Sequence, residues 1–144
     1  MILRVLVAED SPVILKSVRE LLRAADIRTV LEANNGVAAL ALAIESAPDV
    51  LILDYAMPEM NGIDVARLMH DRRPDVPMIL MTVTAAEYLI AAAFGAGIRG
   101  FVLKRDAGDD LVRAIHVVMR GGVYVSPGAA LVLCERYLPA AGVG

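Results

Sequence analysis

Val50-Leu51-Ile52-Leu53-Asp54 sets four aliphatic residues in a row and stops them with a carboxylate. A continuous apolar run this short suits a strand of a parallel sheet that is covered on both faces. Three further runs, residues 2–8, 78–81 and 101–103, have the same character. The stretch Arg28-Thr29-Val30-Leu31-Glu32 carries charge at both ends, which places it at a sheet edge. Helical patterns lie between the runs. After Ser11-Pro12, a cap and first turn, the residues Ile14, Leu15, Val18, Leu21, Leu22 and Ala25 share one face. Residues 36–47, 60–72, 85–96 and 108–120 supply the others, the last closed by Gly121-Gly122. All seven prolines fall where the pattern changes. Strand then helix, five times over with short connections, predicts an α/β fold: an open, doubly wound parallel sheet with helices on both faces.

The composition agrees. A chain of 144 residues is one compact domain, and 58% hydrophobic content with only 4% aromatic requires an aliphatic core. That apolar content excludes a disordered chain. Fourteen Lys plus Arg against seventeen Asp plus Glu give a net charge of -3, which argues against autonomous nucleic-acid binding. Cys134 is the only cysteine, so no internal disulfide forms, and a reducing compartment is indicated. The most apolar region, residues 76–98, is broken by Glu87 into pieces too short to span a bilayer. No secretory segment precedes Glu9-Asp10. The expectation is a soluble cytoplasmic domain with no membrane partner.

In doubly wound sheets, ligands bind at the carboxyl ends of the strands. The first strand ends in Glu9-Asp10, the third in Asp54, the fourth in Thr82 and the fifth in Lys104. Three carboxylates, a hydroxyl and an ammonium are therefore expected at one edge. Clustered carboxylates raise one another's pKa unless a cation intervenes, and oxygen-only ligands favour Mg2+. A hard cation beside a free carboxylate and an ammonium suits phosphoryl transfer, with Asp54 as nucleophile. Singly, each residue has an ordinary explanation, such as a turn cap or a solvated charge; their joint placement at the proper strand ends is what points to a site. His70 and His116 lack partners at metal-ligand spacing and are read as surface or packing residues.

These features resemble the receiver domain of bacterial two-component response regulators: the pair Glu9-Asp10, Asp54 followed by Met57-Pro58 and Asn61-Gly62, Thr82, and Phe101 three places before Lys104. The stretch Glu32-Ala33-Asn34-Asn35-Gly36 resembles that family's second strand and helix start. The resemblance implies a flavodoxin-like (βα)5 fold with strand order 2-1-3-4-5. It further implies that Asp54 is phosphorylated by a sensor histidine kinase or phosphotransfer protein. Mg2+ would be held by Asp10, Asp54 and the backbone carbonyl of Ala56, with Glu9 acting through a bound water. Lys104 would pair with a phosphoryl oxygen, Thr82 would move to hydrogen-bond another, and Phe101 would be an aromatic switch.

Thr82-Val83-Thr84, Gly100-Phe101-Val102-Leu103-Lys104 and the segment Gly121-Gly122-Val123-Tyr124-Val125-Ser126-Pro127 look like the NarL/LuxR-type subfamily. Members of that type usually continue into a helix-turn-helix DNA-binding domain. Here the division is a receiver, residues 1–126, and a C-terminal short helix, residues 128–138, within a linker-like tail, residues 127–144. Either the receiver is excised from a longer regulator that controls transcription, touching DNA only through the missing output domain, or it acts by protein contacts alone. The linker-like tail favours the first.

Two departures from the family pattern stand out. Arg105 follows Lys104 where many receivers have Pro, so a trans peptide bond is expected. Val83 stands where many have a very small residue, and is expected to narrow access to Asp54. On the helix over residues 85–96, Ile90, Ala93, Phe94 and Gly97 are expected to face the sheet. The opposite stripe of Tyr88, Leu89, Ala92 and Ala96 is also nearly uncharged, which makes it a candidate interaction surface for a homodimer formed on phosphorylation. The alternative is an ordinary Ala-rich surface helix, and the first and fifth helices are a competing surface.

Two other functions remain in view. A haloacid-dehalogenase-like phosphohydrolase also uses an Asp nucleophile with Mg2+, but expects a second Asp two residues on, where this chain has Ala56. An unphosphorylated interaction module tends to lose acidic or lysine positions, whereas Asp10, Asp54 and Lys104 are all present.

Overall fold

The computed structural model describes residues 2–139. Six parallel strands, β1 (Arg4–Ala8), β2 (Thr29–Ala33), β3 (Val50–Asp54), β4 (Met78–Thr82), β5 (Gly100–Leu103) and β6 (Tyr124–Val125), form one sheet in the order β2-β1-β3-β4-β5-β6. Helices α1 (Pro12–Ala24), α2 (Gly36–Ser46), α3 (Gly62–Arg72), α4 (Glu87–Gly95), α5 (Ala107–Met119) and α6 (Pro127–Glu135) cover it.

Because side chains alternate along a strand, each apolar run supplies both cores. Val5, Val7, Val50, Ile52, Ile79, Met81 and Val102 pack under α1 and α5, with Val18, Leu22, Leu111 and Ile115. Leu6, Ala8, Leu51, Leu53, Met78, Leu80, Phe101 and Leu103 face the other way, with Ala39, Ala43, Ile63, Ala66 and Ile90. Every residue of β3, β4 and β5 is buried, as the continuous runs predict. The edge strand β2 is only partly buried, and its Glu32 forms a two-pronged ion pair with Arg19 of α1 at 2.6 and 2.9 Å. Ser11 caps α1, its hydroxyl accepting from the Ile14 amide, and Pro12 occupies the first turn. Asn61 caps α3 in the same way at 2.9 Å, so that helix begins at Gly62 rather than at residue 60.

Two expectations need correction. The sheet has a sixth strand: Gly121, at φ 82°, reverses the chain after α5, and β6 then pairs alongside β5. The proposed stripe on α4 is not a free surface. Leu89 and Ala96 are each 3% exposed and Ala92 is half-buried, leaving only Tyr88 well exposed. Leu89 and Ala96 belong to the buried core on that face, and α4 contacts both α3 and α6, the returning C-terminal helix. Residues 140–144 of the expected tail lie outside the described residues. Among the described residues, no helix is long and apolar enough to cross a membrane.

Candidate functional site

Parallel pairing aligns the strand ends. Ala8 is in register with Leu53, Asp54 with Met81, and Thr82 with Leu103. The residues that close or follow those strands therefore meet at one edge. Glu9, Asp54 and Thr82 are buried at 1%, 2% and 2% exposure, whereas Asp10 is exposed.

Lys104 binds the cluster from above: its Nζ lies 3.0 Å from Asp54 Oδ1 and 3.1 Å from Glu9 Oε2. Glu9 Oε1 accepts from the Ser11 amide at 3.1 Å and from Lys104 at 3.4 Å. Glu9 Oε2 is buried and has no hydrogen-bond partner among the described residues; its approach to the ammonium is a charge contact without hydrogen-bond alignment. Burial pushes the Glu9 and Asp54 carboxyls above the ordinary range; Lys104 opposes this in both, and the Asp10 charge adds to the rise at Asp54. Burial works against the Lys104 charge, but its hydrogen bonds to Asp54 and Glu9 outweigh that and hold the ammonium above its usual value.

The donor set fits a hard divalent cation. One oxygen from each of Glu9, Asp10 and Asp54 lies within 4.8 Å of the others, one buried oxygen lacks a donor, and three carboxylates face a single ammonium. Ala56 is exposed, and its backbone amide works against the rise at the Asp54 carboxyl.

The Thr82 hydroxyl accepts from the Thr84 amide at 3.3 Å, and Phe101 is fully buried. Val83, beside them, is 73% exposed. The Lys104–Arg105 peptide bond is trans, as expected. His70 is exposed and remote from the acidic edge, lying beside Gly97.

One residue near the site has no counterpart among the sequence candidates. Ser126 is completely buried, and its hydroxyl accepts from the Leu103 amide at 3.0 Å, next to Lys104. Ser-Pro in sequence reads as a helix start, and α6 does begin at Pro127, yet the Ser126 side chain is turned to β5 instead of capping its own helix.

Comparison with known proteins gives this arrangement a family. The response regulator receiver domain model matches residues 5–116, and the chain belongs to that family. It is a receiver domain of the kind carried by two-component response regulators, whose common function is phosphorylation-based signalling. The transcriptional regulatory protein YdfI of Bacillus subtilis (strain 168) is 30% identical over 125 residues, 86% of this chain and 58% of that protein. The nitrate/nitrite response regulator protein NarL of Escherichia coli (strain K12) is 30% identical over 130 residues, 90% of this chain and 60% of that protein. The chain thus spans about three fifths of the length of these relatives. A LuxR-family two-component response regulator from Aurantimonas sp. SI85-9A1 superposes with a TM-score of 0.87 at 26% identity, covering 94% of this chain and 98% of that one. The signal receiver domain of the putative response regulator NarL from Mycobacterium tuberculosis gives 0.77 at 30% identity, covering 83% and 97%.

Proposed function

We propose that Asp54 is the phosphoacceptor of this receiver, and that a sensor histidine kinase or phosphotransfer protein supplies the phosphoryl group. The transfer breaks a nitrogen–phosphorus bond on the donor and forms an oxygen–phosphorus bond at the Asp54 carboxylate. The observation that carries this reading is the Lys104 ammonium 3.0 Å from a buried Asp54 that ends its strand beside two more carboxylates. Asp10, Asp54 and the Ala56 carbonyl would hold Mg2+ in this reading, with Glu9 acting through a water. When bound, the ion would supply positive charge to offset that of the phosphoryl oxygens.

Lys104 positions the incoming group by moving from carboxylate to phosphoryl oxygen. The Thr82 hydroxyl leaves the Thr84 amide to donate to another, and Phe101 responds as the aromatic switch. The same constellation supports slow self-dephosphorylation.

The division into a receiver, residues 1–126, and an extension, residues 127–144, belongs to this reading, as do a cytoplasmic location and homodimerisation on phosphorylation. Control of transcription is proposed from relatives named as transcriptional regulators, with DNA contacted only through an output domain outside these 144 residues. The test is intact-mass analysis after incubation with Mg2+ and a small phosphodonor. A labile single phosphoryl adduct that is lost in Asp54→Asn supports the reading. No adduct, even with a competent kinase, overturns it in favour of an interaction module, and multiple turnover of a phosphate ester overturns it in favour of a hydrolase.

A further inference from the structure

The end of β5 is gripped from two sides. Leu103, its last residue, is in register with Thr82 and is followed by Lys104, so it adjoins both groups that respond to Asp54. From the other side comes the chain that enters α6. The Ser126 amide donates to the Phe101 carbonyl at 2.9 Å, and the Ser126 hydroxyl accepts from the Leu103 amide.

Gly128, in the first turn of α6, lies against the side chains of Leu103, Arg105 and Asp106. A β-carbon there would stand 2.5 Å from Leu103 Cδ1, 2.7 Å from a guanidinium nitrogen of Arg105 and 3.0 Å from Asp106 Oδ2. The Gly128 amide donates to that same Asp106 oxygen at 3.2 Å. The N-terminus of α6 is therefore capped by a carboxylate from the turn Lys104–Asp106, where the helix dipole favours negative charge. That turn begins with the ammonium bound to Asp54 and ends on the cap of α6.

The rest of the α6 contact is slight. Only Ala129 is fully buried, while Val132 and Leu133 are half-covered, and the exposed Arg136–Glu87 pair adds little. Partial burial of three small or medium side chains leaves the docking weak enough for a coupling between sites to overcome.

We infer that α6 is a reversible strap whose docking on α4 and β5 reports the state of Asp54 through the turn Lys104–Asp106. The inference rests on Asp54 being the phosphoacceptor. In the unmodified chain, Asp54 and Glu9 hold the ammonium inward. A phosphoryl group adds negative charge further from β3, the ammonium follows it, and the short turn carries Asp106 away from the Gly128 amide. Once the Asp106 cap is withdrawn, only Ala129 remains fully buried to hold α6, and the helix releases.

The test uses the full chain with Mg2+ and a small phosphodonor, following phosphoryl occupancy by intact mass and amide hydrogen exchange in peptides covering residues 127–135. Phosphorylation is expected to speed exchange in α6 at least about fivefold while peptides from residues 111–118 stay unchanged. Full occupancy with unchanged α6 exchange overturns the inference and leaves the Asp54 reading standing. Failure to form any adduct overturns that reading, and the inference with it. Reciprocity supplies a second arm: Gly128→Ala, or Leu133→Asp if the first does not fold, frees α6 and should tighten binding of beryllofluoride with Mg2+ by a similar factor. Unchanged affinity in a variant whose α6 already exchanges fast also overturns the inference.

Discussion

Gly62 lies directly against the backbone of Asp54: a β-carbon at Gly62 would stand 2.4 Å from the Asp54 carbonyl oxygen and 2.8 Å from Leu80 Cδ1. The Gly62 amide also donates to the Tyr55 carbonyl at 2.9 Å, so the first turn of α3 is laced to the end of β3. Neither the strand end nor a fully buried Leu80 yields cheaply. Gly62→Ala is expected to destabilise by about 2–3 kcal/mol in urea unfolding, despite the higher helix propensity of Ala. It should also slow phosphoryl adduct formation, because the strand end carrying Asp54 must shift. An Ala variant as stable as the parent would show that this contact has slack.

The carboxyl pair sets a pH dependence. Glu9 and Asp54 have folded pKa values raised by burial, so the folded state binds more protons than the unfolded state between the ordinary carboxylate range, about 4, and those raised values. Stability without divalent cation is therefore expected to rise as pH falls from neutrality towards that range. Glu32, held below the ordinary value by Arg19, loses its contribution only at lower pH, and Lys104, held above its ordinary value, loses its contribution only at high pH. Asp54→Asn removes one of the two buried like charges. Without Mg2+ at pH 7 it should gain on the order of 1 kcal/mol, a few degrees in Tm, and flatten the slope. Mg2+ should raise the Tm of the parent and raise that of Asp54→Asn less. Equal Mg2+ shifts in both would place the ion elsewhere.

Tyr124 ties β6 to α5. Its hydroxyl donates to Asp110, a buried carboxylate in the first turn of α5, and burial together with that bond pushes the phenol up to about 12. Tyr124→Phe is expected to cost about 1–2 kcal/mol, since Asp110 loses its donor while staying buried. In the parent, stability falls as pH rises from about 10 through the folded value, and phenolate absorbance should report one late-titrating tyrosine.

Val83 offers a test of access to Asp54. It is 73% exposed, so Val83→Ala should leave stability within about 0.5 kcal/mol of the parent. If this side chain narrows the approach, the variant will accept phosphoryl groups from small donors and lose them by hydrolysis faster, both measurable by intact mass over time. Unchanged rates assign the approach to other residues.

The legibility of this protein in its sequence follows the length of each signal. Strands β3 and β4 are continuous apolar runs because both faces are covered, and a carboxylate or hydroxyl marks where each run ends. Strand β6 has two residues, too few for any periodicity, and exists only because β5 offers it an edge. The nearly uncharged α4 points, from sequence alone, to an open apolar side. Apolar pattern records that a face is to be covered, not which neighbour covers it, and α3 and α6 close on it. The role of Ser126 is hidden in sequence for a related reason: its hydrogen bond reaches back 23 residues to Leu103.

Which groups arrive at the carboxyl edge of the sheet is legible in local sequence, since an apolar run and the polar residue that stops it are neighbours in the chain. The contacts those groups make depend on the folded whole. One ammonium stands between Glu9 and Asp54, one oxygen of Glu9 is left without a donor, and α6 is capped by Asp106. Those relationships join residues as far as 95 positions apart, and only the register of the parallel strands sets such distances.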